Sequence, residues 1–160
     1  MSVEREIRYR VTAGAPPPGG IRMVQAYLLR GPVTLRVRLT EGRGARMTLK
    51  VPRGDGRTEW EWPVPSALAR ALLSLPLPRV EKRRSREGRL EVDRLEWPAG
   101  VLLVELELER GEGPDLRDAD ARRRLMESHR PAWVGSWVDV TDDPAYTNAR
   151  LARVRSRAHP

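Results

Sequence analysis

The stretch Thr34–Val51, TLRVRLTEGRGARMTLKV, decides the fold of this chain. From Thr34 to Thr40 the apolar Leu35, Val37 and Leu39 alternate with Arg36 and Arg38; Glu41-Gly42-Arg43-Gly44 makes a turn; Arg46 to Val51 alternates again. Alternation at a period of two is the signature of a strand with one oily face and one wet face, and two such runs joined by a glycine-rich turn make a β-hairpin. The wet face here is ionic, because Arg36, Arg38 and Lys50 occupy it.

The same spacing recurs on both sides of the hairpin. Glu4, Glu6 and Arg8 stand two apart, as do Glu59 and Glu61 (with Trp60 and Trp62 opposite), Lys82 and Arg84, and Glu105 and Glu107, the last pair set among Val104, Leu106 and Leu108. Strands are expected at about 2–11, 24–30, 34–40, 46–51, 57–63, 79–86, 89–96 and 101–109. Ser66 is read as the cap of a short helix whose apolar face is Leu68, Ala71, Leu72 and Leu75, ended by Pro76 and covering the outer face of the sheet. A second helix is expected at about 115–128, with Leu116, Ala119 and Leu125 inward, and another in the tail from Pro144 to Arg155. The fold class that follows is mainly β (α+β), an eight-stranded antiparallel closed barrel or tunnel with a few outer helices, because closure removes exposed sheet edges. An open sheet with a solvated ionic face remains the alternative.

A chain of 160 residues suits one domain with a core large enough to fold without staples. It has no cysteine, which excludes disulfides, thiolate metal sites and cysteine nucleophiles, and its two histidines, His129 and His159, give poor support to a histidine-centred triad. No apolar run approaches the roughly 20 residues that span a bilayer, and the first residues enter a charged strand pattern, so the expectation is a cytoplasmic protein with no membrane partner. A net charge of +8 calls for an anionic partner. Of the 30 basic residues only Lys50 and Lys82 are lysine. Where arginine is otherwise the rule, a compact ammonium at two places suggests geometry that a planar fork does not satisfy, with chance as the competing explanation.

The ionic faces carry an acidic set, Glu4, Glu6, Glu59, Glu61, Asp93, Glu105 and Glu107, and a basic set, Arg8, Arg36, Arg38, Lys50, Lys82 and Arg84. Hard carboxylate oxygens favour Mg2+ or Mn2+, and arginine forks match phosphate oxygens, so together they suit a metal ion and a polyanion held at one site. Any one pair read alone is an ordinary cross-strand salt bridge. The glycines at 42, 44, 54 and 56 sit in hairpin turns rather than in a phosphate loop opening a helix, which argues against a nucleotide-binding α/β fold.

With those residues in place, Glu4-Arg5-Glu6-Ile7-Arg8 closely resembles the Glu-x-Glu-x-Lys signature of the CYTH superfamily, the triphosphate tunnel metalloenzymes. The resemblance continues in order through Gln25-Ala26-Tyr27-Leu28, Leu35-Arg36-Val37-Arg38, Met47-Thr48-Leu49-Lys50, Glu59-Trp60-Glu61, Val80 to Arg84, Glu91-Val92-Asp93, Val104 to Glu107, and Val140 to Asp143 with Tyr146 and Asn148. Both lysines fall on family lysine positions. The resemblance implies a single tunnel domain over residues 1–160 that binds a triphosphate-containing small molecule. It implies that Arg8, Arg36, Arg38, Lys50, Lys82 and Arg84 bind phosphate oxygens and that Glu4, Glu6, Glu105 and Glu107 hold one or two Mg2+ or Mn2+ ions. Lys82, Tyr27, Glu59, Glu61 and Asp93 form the implied catalytic set, the three acids orienting basic residues or assisting a second metal and the attacking water, and Tyr27 offering a hydroxyl to substrate or Lys82. Arg8 departs from the signature lysine, keeping the charge but not the shape. Pro144-Ala145 stands before Tyr146 where many members have a basic residue.

The function so implied is metal-dependent triphosphate hydrolysis. A class IV type adenylate cyclase would use the same clamp, and a non-enzymatic module binding polyphosphate or nucleic acid would use the charge alone. Nucleic acid is disfavoured, though left open, because aromatic residues make up only 5% of the chain. A homodimer is also left open. Removal of Glu105 is expected to leave the fold intact by relieving repulsion among carboxylates.

Overall fold

The structure is a computed structural model and describes residues 5–53, 56–109, 113 and 115–155. Its elements are β1 (Arg5–Gly14), β2 (Ile21–Arg30), β3 (Thr34–Thr40), β4 (Gly44–Arg53), β5 (Gly56–Val64), α1 (Ser66–Leu73), β6 (Arg79–Glu87), β7 (Leu90–Trp97), β8 (Ala99–Leu108), α2 (Ala119–Ser128) and β9 (Val134–Asp139). A 3₁₀ turn at Pro144–Tyr146 and a one-turn helix, α3 (Asn148–Leu151), complete the described chain. Glu4 and His159 lie outside the described residues.

The strands form one antiparallel sheet in the order β5-β4-β3-β2-β6-β7-β8-β1-β9. The hairpin read from the sequence is β3–β4, with Val37 opposite Met47 and Arg38 opposite Arg46. Two expectations are corrected. The sheet has nine strands among the described residues rather than eight, because β9 adds to the free side of β1. It is also not a closed barrel: β5 hydrogen-bonds to β4 and β9 to β1, and the two ends of the sheet are not joined by a ladder. The inner acids of β5 turn back to their own neighbours, Glu59 to Lys50 at 2.8 Å and Glu61 to Arg38 at 3.1 Å, instead of across the gap. Pro63, lacking an N–H, further weakens β5 as a donor to a closing partner.

Alternation sets the layers. Odd-numbered residues of β1 and even-numbered residues of β7 and β8 point outward: Ile7, Tyr9, Val11, Leu90, Val92, Val104, Leu106 and Leu108 bury together with Met126 of α2 and Val134 of β9. On the other half of the outer face Ala26, Val37 and Ala45 pack with Ala69 of α1, supported by Leu72 and Leu73. The expected cover of α1 is therefore correct in place but not in face. The helix enters at Pro65, which holds the capping position without a side-chain hydrogen bond, and Ser66 is its first residue. One position is about 100° of helical rotation, so Ala69 and Leu73 turn inward while Leu68 and Leu75 remain 48% and 47% exposed. Asp118 caps α2, its carboxylate accepting from the backbone N–H groups of Asp120 and Ala121, and the helix buries Arg122 and Met126.

A third cluster lies on the concave face. Tyr27, Val80, Leu95 and Leu103 bury with Val140, Leu151 and Ala152. The chain after β9 thus folds back under the sheet and covers the apolar half of its inner surface, leaving the ionic half free to surround a cavity. Arg79 and Arg153 fasten this segment through reciprocal backbone bonds of 3.0 and 3.1 Å. Among the described residues no helix is long and apolar enough to cross a membrane.

Candidate active site

The sheet curls so that seven strands, from β4 round to β1, contribute side chains to one chamber of about 130 Å³. Arg8, Arg36, Arg38, Lys50, Lys82 and Arg84 line it together with Glu6, Glu91, Glu105 and Glu107. Six cations thus face four carboxylates, and the two neutral amides Gln25 and Asn148 fill the spaces between them. Nine of the residues singled out from the sequence are therefore brought together. The chamber opens onto a broader mouth of about 860 Å³, lined by Glu59, Glu61, Arg43, Arg46 and Arg86 together with Ile21, Met23 and Pro63.

The centre is built on adjacent strands β6 and β7, where Arg84 stands opposite Asp93. Asp93 is fully buried and accepts hydrogen bonds from Lys82 Nζ at 2.5 Å and from Arg84 Nε and Nη2, both at 2.6 Å. Burial by itself would raise the Asp93 carboxyl; the Lys82 ammonium and the Arg84 fork override it and hold it at about 2. Burial has the opposite outcome at Lys82, lowering its pKa against the pull of Asp93. Burial also acts to lower Arg84, but Asp93, Glu105 and Glu91 around it raise it. Asp93 therefore does not line the chamber; it sits behind two chamber cations and fixes their direction.

The other acids of the predicted catalytic set behave alike. Glu59 holds Lys50 at 2.8 Å, while Glu61 accepts from Arg38, from Arg46 at 2.9 Å and from the Thr48 hydroxyl at 3.1 Å. Both stand in the mouth. Arg38 is lowered first by burial and then by its neighbour Arg36, so a further negative charge would be welcome there. Among the described residues the buried Nε of Arg36 finds no acceptor. Tyr27 does not line the chamber; its ring belongs to the buried cluster under the sheet, and its hydroxyl accepts from Gln25 Nε2 at 3.2 Å, its pKa raised by burial.

Glu6 and Glu107 are opposite one another on β1 and β8, and the next pair along is Arg8 and Glu105. Arg8 Nε donates to Glu105 at 2.7 Å and Nη2 to Glu6, while Arg84 Nη2 reaches the other Glu105 oxygen at 3.2 Å. The three carboxylates of this wall, Glu6, Glu105 and Glu107, suit Mg2+ or Mn2+, while the fourth lining acid, Glu91, is engaged by Arg84 and Arg86. No three acidic or histidine side chains among the described residues are already gathered as a cage. The arrangement therefore fits an ion that shares its coordination between one or two carboxylates and substrate phosphates, the usual habit of Mg2+.

Gln25, Glu91 and Asn148 are the lining residues that sequence reasoning did not single out as site residues. Glu91 pairs with Arg84 and, at 2.8 Å, with Arg86. Asn148 comes to the chamber from α3, 3.5 Å from Lys82 Nζ. All three lie in motifs that carried the family resemblance, and that membership was the available signal.

An antiparallel sheet curled around a chamber of guanidinium, ammonium and carboxylate groups is the arrangement expected of a CYTH fold. The CYTH domain family model matches residues 26–136, and the chain belongs to that family. Two crystal structures of one protein, described as the hypothetical protein NE1496 and as the inorganic triphosphatase NE1496, are each 26% identical with a TM-score of 0.60. The match covers 95% of this chain, and 99% and 95% of those chains. The PH1012 protein from Pyrococcus horikoshii OT3 is 18% identical with a TM-score of 0.49, over 78% of this chain and 87% of that one. No curated protein matches the chain.

Proposed function

We propose that this protein is a divalent-metal-dependent triphosphatase acting on inorganic tripolyphosphate. The observation that carries the reading is the chamber itself: cations on β3, β4 and β6 converge on a space whose opposite wall holds Glu6, Glu105 and Glu107. Family membership and the likeness to the inorganic triphosphatase NE1496 support the same class.

In this reading Arg36, Arg38, Lys50, Lys82 and Arg84 bind the oxygens of the phosphate chain. Arginine forks supply paired donors and the two ammonium groups supply compact charges between them. Glu6, Glu105 and Glu107, with Glu4, hold Mg2+ or Mn2+, which when bound polarises phosphate oxygens and offsets the charge that builds up as the terminal phosphorus is attacked by water. Glu59, Glu61 and Asp93 act as positioning residues, each fixing a cation that touches substrate. Lys82, pressed against Asp93 in the floor, presents its positive charge to the scissile end without the freedom to swing away. Tyr27 acts through Gln25, whose amide it orients.

The mouth supports inorganic substrate over an organic triphosphate. Its apolar surface is Ile21, Met23 and Pro63, and among the described residues that line it there is no aromatic ring on which a base would stack. The deciding experiment measures phosphate released from tripolyphosphate, ATP and thiamine triphosphate with Mg2+ and with Mn2+. Tripolyphosphate is expected to be hydrolysed fastest; cyclic AMP as the main product from ATP would instead establish a cyclase.

A further inference from the structure

Arg8 is bound on every side by the protein itself. Its Nε donates to Glu105 at 2.7 Å, its Nη2 to Glu6, and its Nη1 to the backbone carbonyl of Tyr146 at 3.1 Å. Its side chain is 9% exposed. A planar fork can reach three acceptors in three directions at once, which a point-like ammonium on the same backbone does less well. Two of those acceptors are carboxylates of the metal-facing wall. The third belongs to the segment after β9 that covers the inner sheet and brings Asn148 to the chamber.

The attachment of that segment to β1 extends beyond one bond. The backbone carbonyl of Arg8 accepts from Val140 N–H at 2.9 Å, and its N–H donates to the Thr141 hydroxyl at 3.1 Å. Arg10 Nη1 donates to the Tyr146 hydroxyl at 2.7 Å, with its guanidinium 5.6 Å from the centre of that ring. Tyr146 is therefore held at both ends by β1, and Arg8 is the member of this grip that also touches acids facing the chamber.

We propose that Arg8 is a positioning residue that competes with the divalent ion for Glu6 and Glu105 and thereby couples metal occupancy to the closing segment Val140–Leu151. An ion arriving at those carboxylates takes the oxygens to which Nε and Nη2 donate and repels the guanidinium. The bond from Nη1 to Tyr146 is then lost with them, so the closing segment loosens as the ion binds. Coupling of this kind is reciprocal: whatever weakens the grip of Arg8 strengthens metal binding. The inference rests on the assignment of Glu6 and Glu105 to the metal, but not on which triphosphate is hydrolysed.

The test uses the full chain without substrate. Mn2+ is titrated calorimetrically into wild type and the Arg8→Lys variant, and amide hydrogen exchange across residues 144–152 is followed with and without Mn2+. Arg8→Lys retains the charge, so tighter binding in it reports the loss of the fork rather than of a positive charge. Its dissociation constant is expected to fall about fivefold or more, the lower range for coupled sites. In wild type, Mn2+ is expected to speed exchange of the Tyr146, Thr147 and Leu151 amides, which are locally bonded to Asp143, Pro144 and Thr147. A purely structural salt bridge would lower stability in the variant without tightening Mn2+ binding. Equal or weaker Mn2+ binding in Arg8→Lys overturns the proposal; should that variant not fold, exchange in wild type that is indifferent to Mn2+ overturns it as well. Absence of triphosphate turnover, with the Mn2+ and exchange results as expected, would refute the triphosphatase reading and leave this coupling standing.

Discussion

Replacement of Asp93 by asparagine removes one charge from the most enclosed point of the site while keeping its shape. Asp93 is fully buried and receives three short hydrogen bonds, one from Lys82 and two from Arg84. Its carboxyl is held at about 2 against an ordinary 3.8; at about 1.4 kcal/mol per tenfold change in acidity, that corresponds to about 2–3 kcal/mol of stability. Leaving buried cations without their anion typically costs about 3–5 kcal/mol. Arg84 retains Glu105 and Glu91, which places the expected loss near the lower figure, about 3 kcal/mol. For a chain of this size that is a fall in Tm of about 6–12 °C. The pH dependence adds a second check. Because the folded value lies below the unfolded one, the contribution is fully present above about pH 4 and disappears as pH falls through about 2. Asp93→Asn should therefore lack this part of the acid limb. The assay is urea unfolding of both proteins at pH 7 and across the acid range. A variant within about 0.5 kcal/mol of wild type, or one that loses stability between pH 4 and pH 2 as steeply, would refute the argument that Asp93 is ionised and anchors both cations.

Glu105→Ala is expected to abolish metal-dependent turnover, at least about a hundredfold in kcat, measured at saturating Mn2+; unchanged activity would place Glu105 outside the coordination shell. The structure reverses the stability expected of that variant, since Glu105 pairs with Arg8 and Arg84: thermal unfolding should show a modest loss rather than relief of repulsion. Arg38→Ala should raise KM for tripolyphosphate about tenfold or more with the fold retained, as expected for one charge-assisted contact worth about 1.5–3 kcal/mol, checked by initial rates. Gly14→Ala should disrupt the β1–β9 pairing, because φ there is +116° and an added Cβ would lie 2.1 Å from the Trp133 carbonyl oxygen. Denaturant unfolding should show a loss of about 2 kcal/mol or more, and a neutral result would contradict that geometry.

Much of the fold was legible because the chain writes its faces plainly. The alternation of Leu35, Val37 and Leu39 with Arg36 and Arg38 fixes both the strand and the side that faces the chamber, and the same rule placed Lys82, Arg84, Glu105 and Glu107 correctly. β9 was not legible. Its sequence, VGSWVD, contains Gly135 and Ser136, and its pairing with β1 has two register shifts, so no clean period survives. Closure was over-read because charge spacing shows which face is inward but not whether the last strands meet. The face of α1 was misread by one residue, since Ser66 has the chemistry of a cap while Pro65 holds the position. Within the site, charged residues announced themselves and neutral ones did not: Gln25 is 1% exposed and bonded to Tyr27, yet an isolated glutamine carries no periodic signal. The threefold engagement of Arg8 depends on Tyr146, 138 residues away, and only the folded chain brings them together.

The most direct test of the account is phosphate release from tripolyphosphate by the purified, folded protein, with Mg2+ or Mn2+ added and then removed by chelation. Turnover that requires the ion, and that falls sharply in Lys82→Ala, is the expected result. No hydrolysis of tripolyphosphate, ATP or thiamine triphosphate with either metal would contradict it.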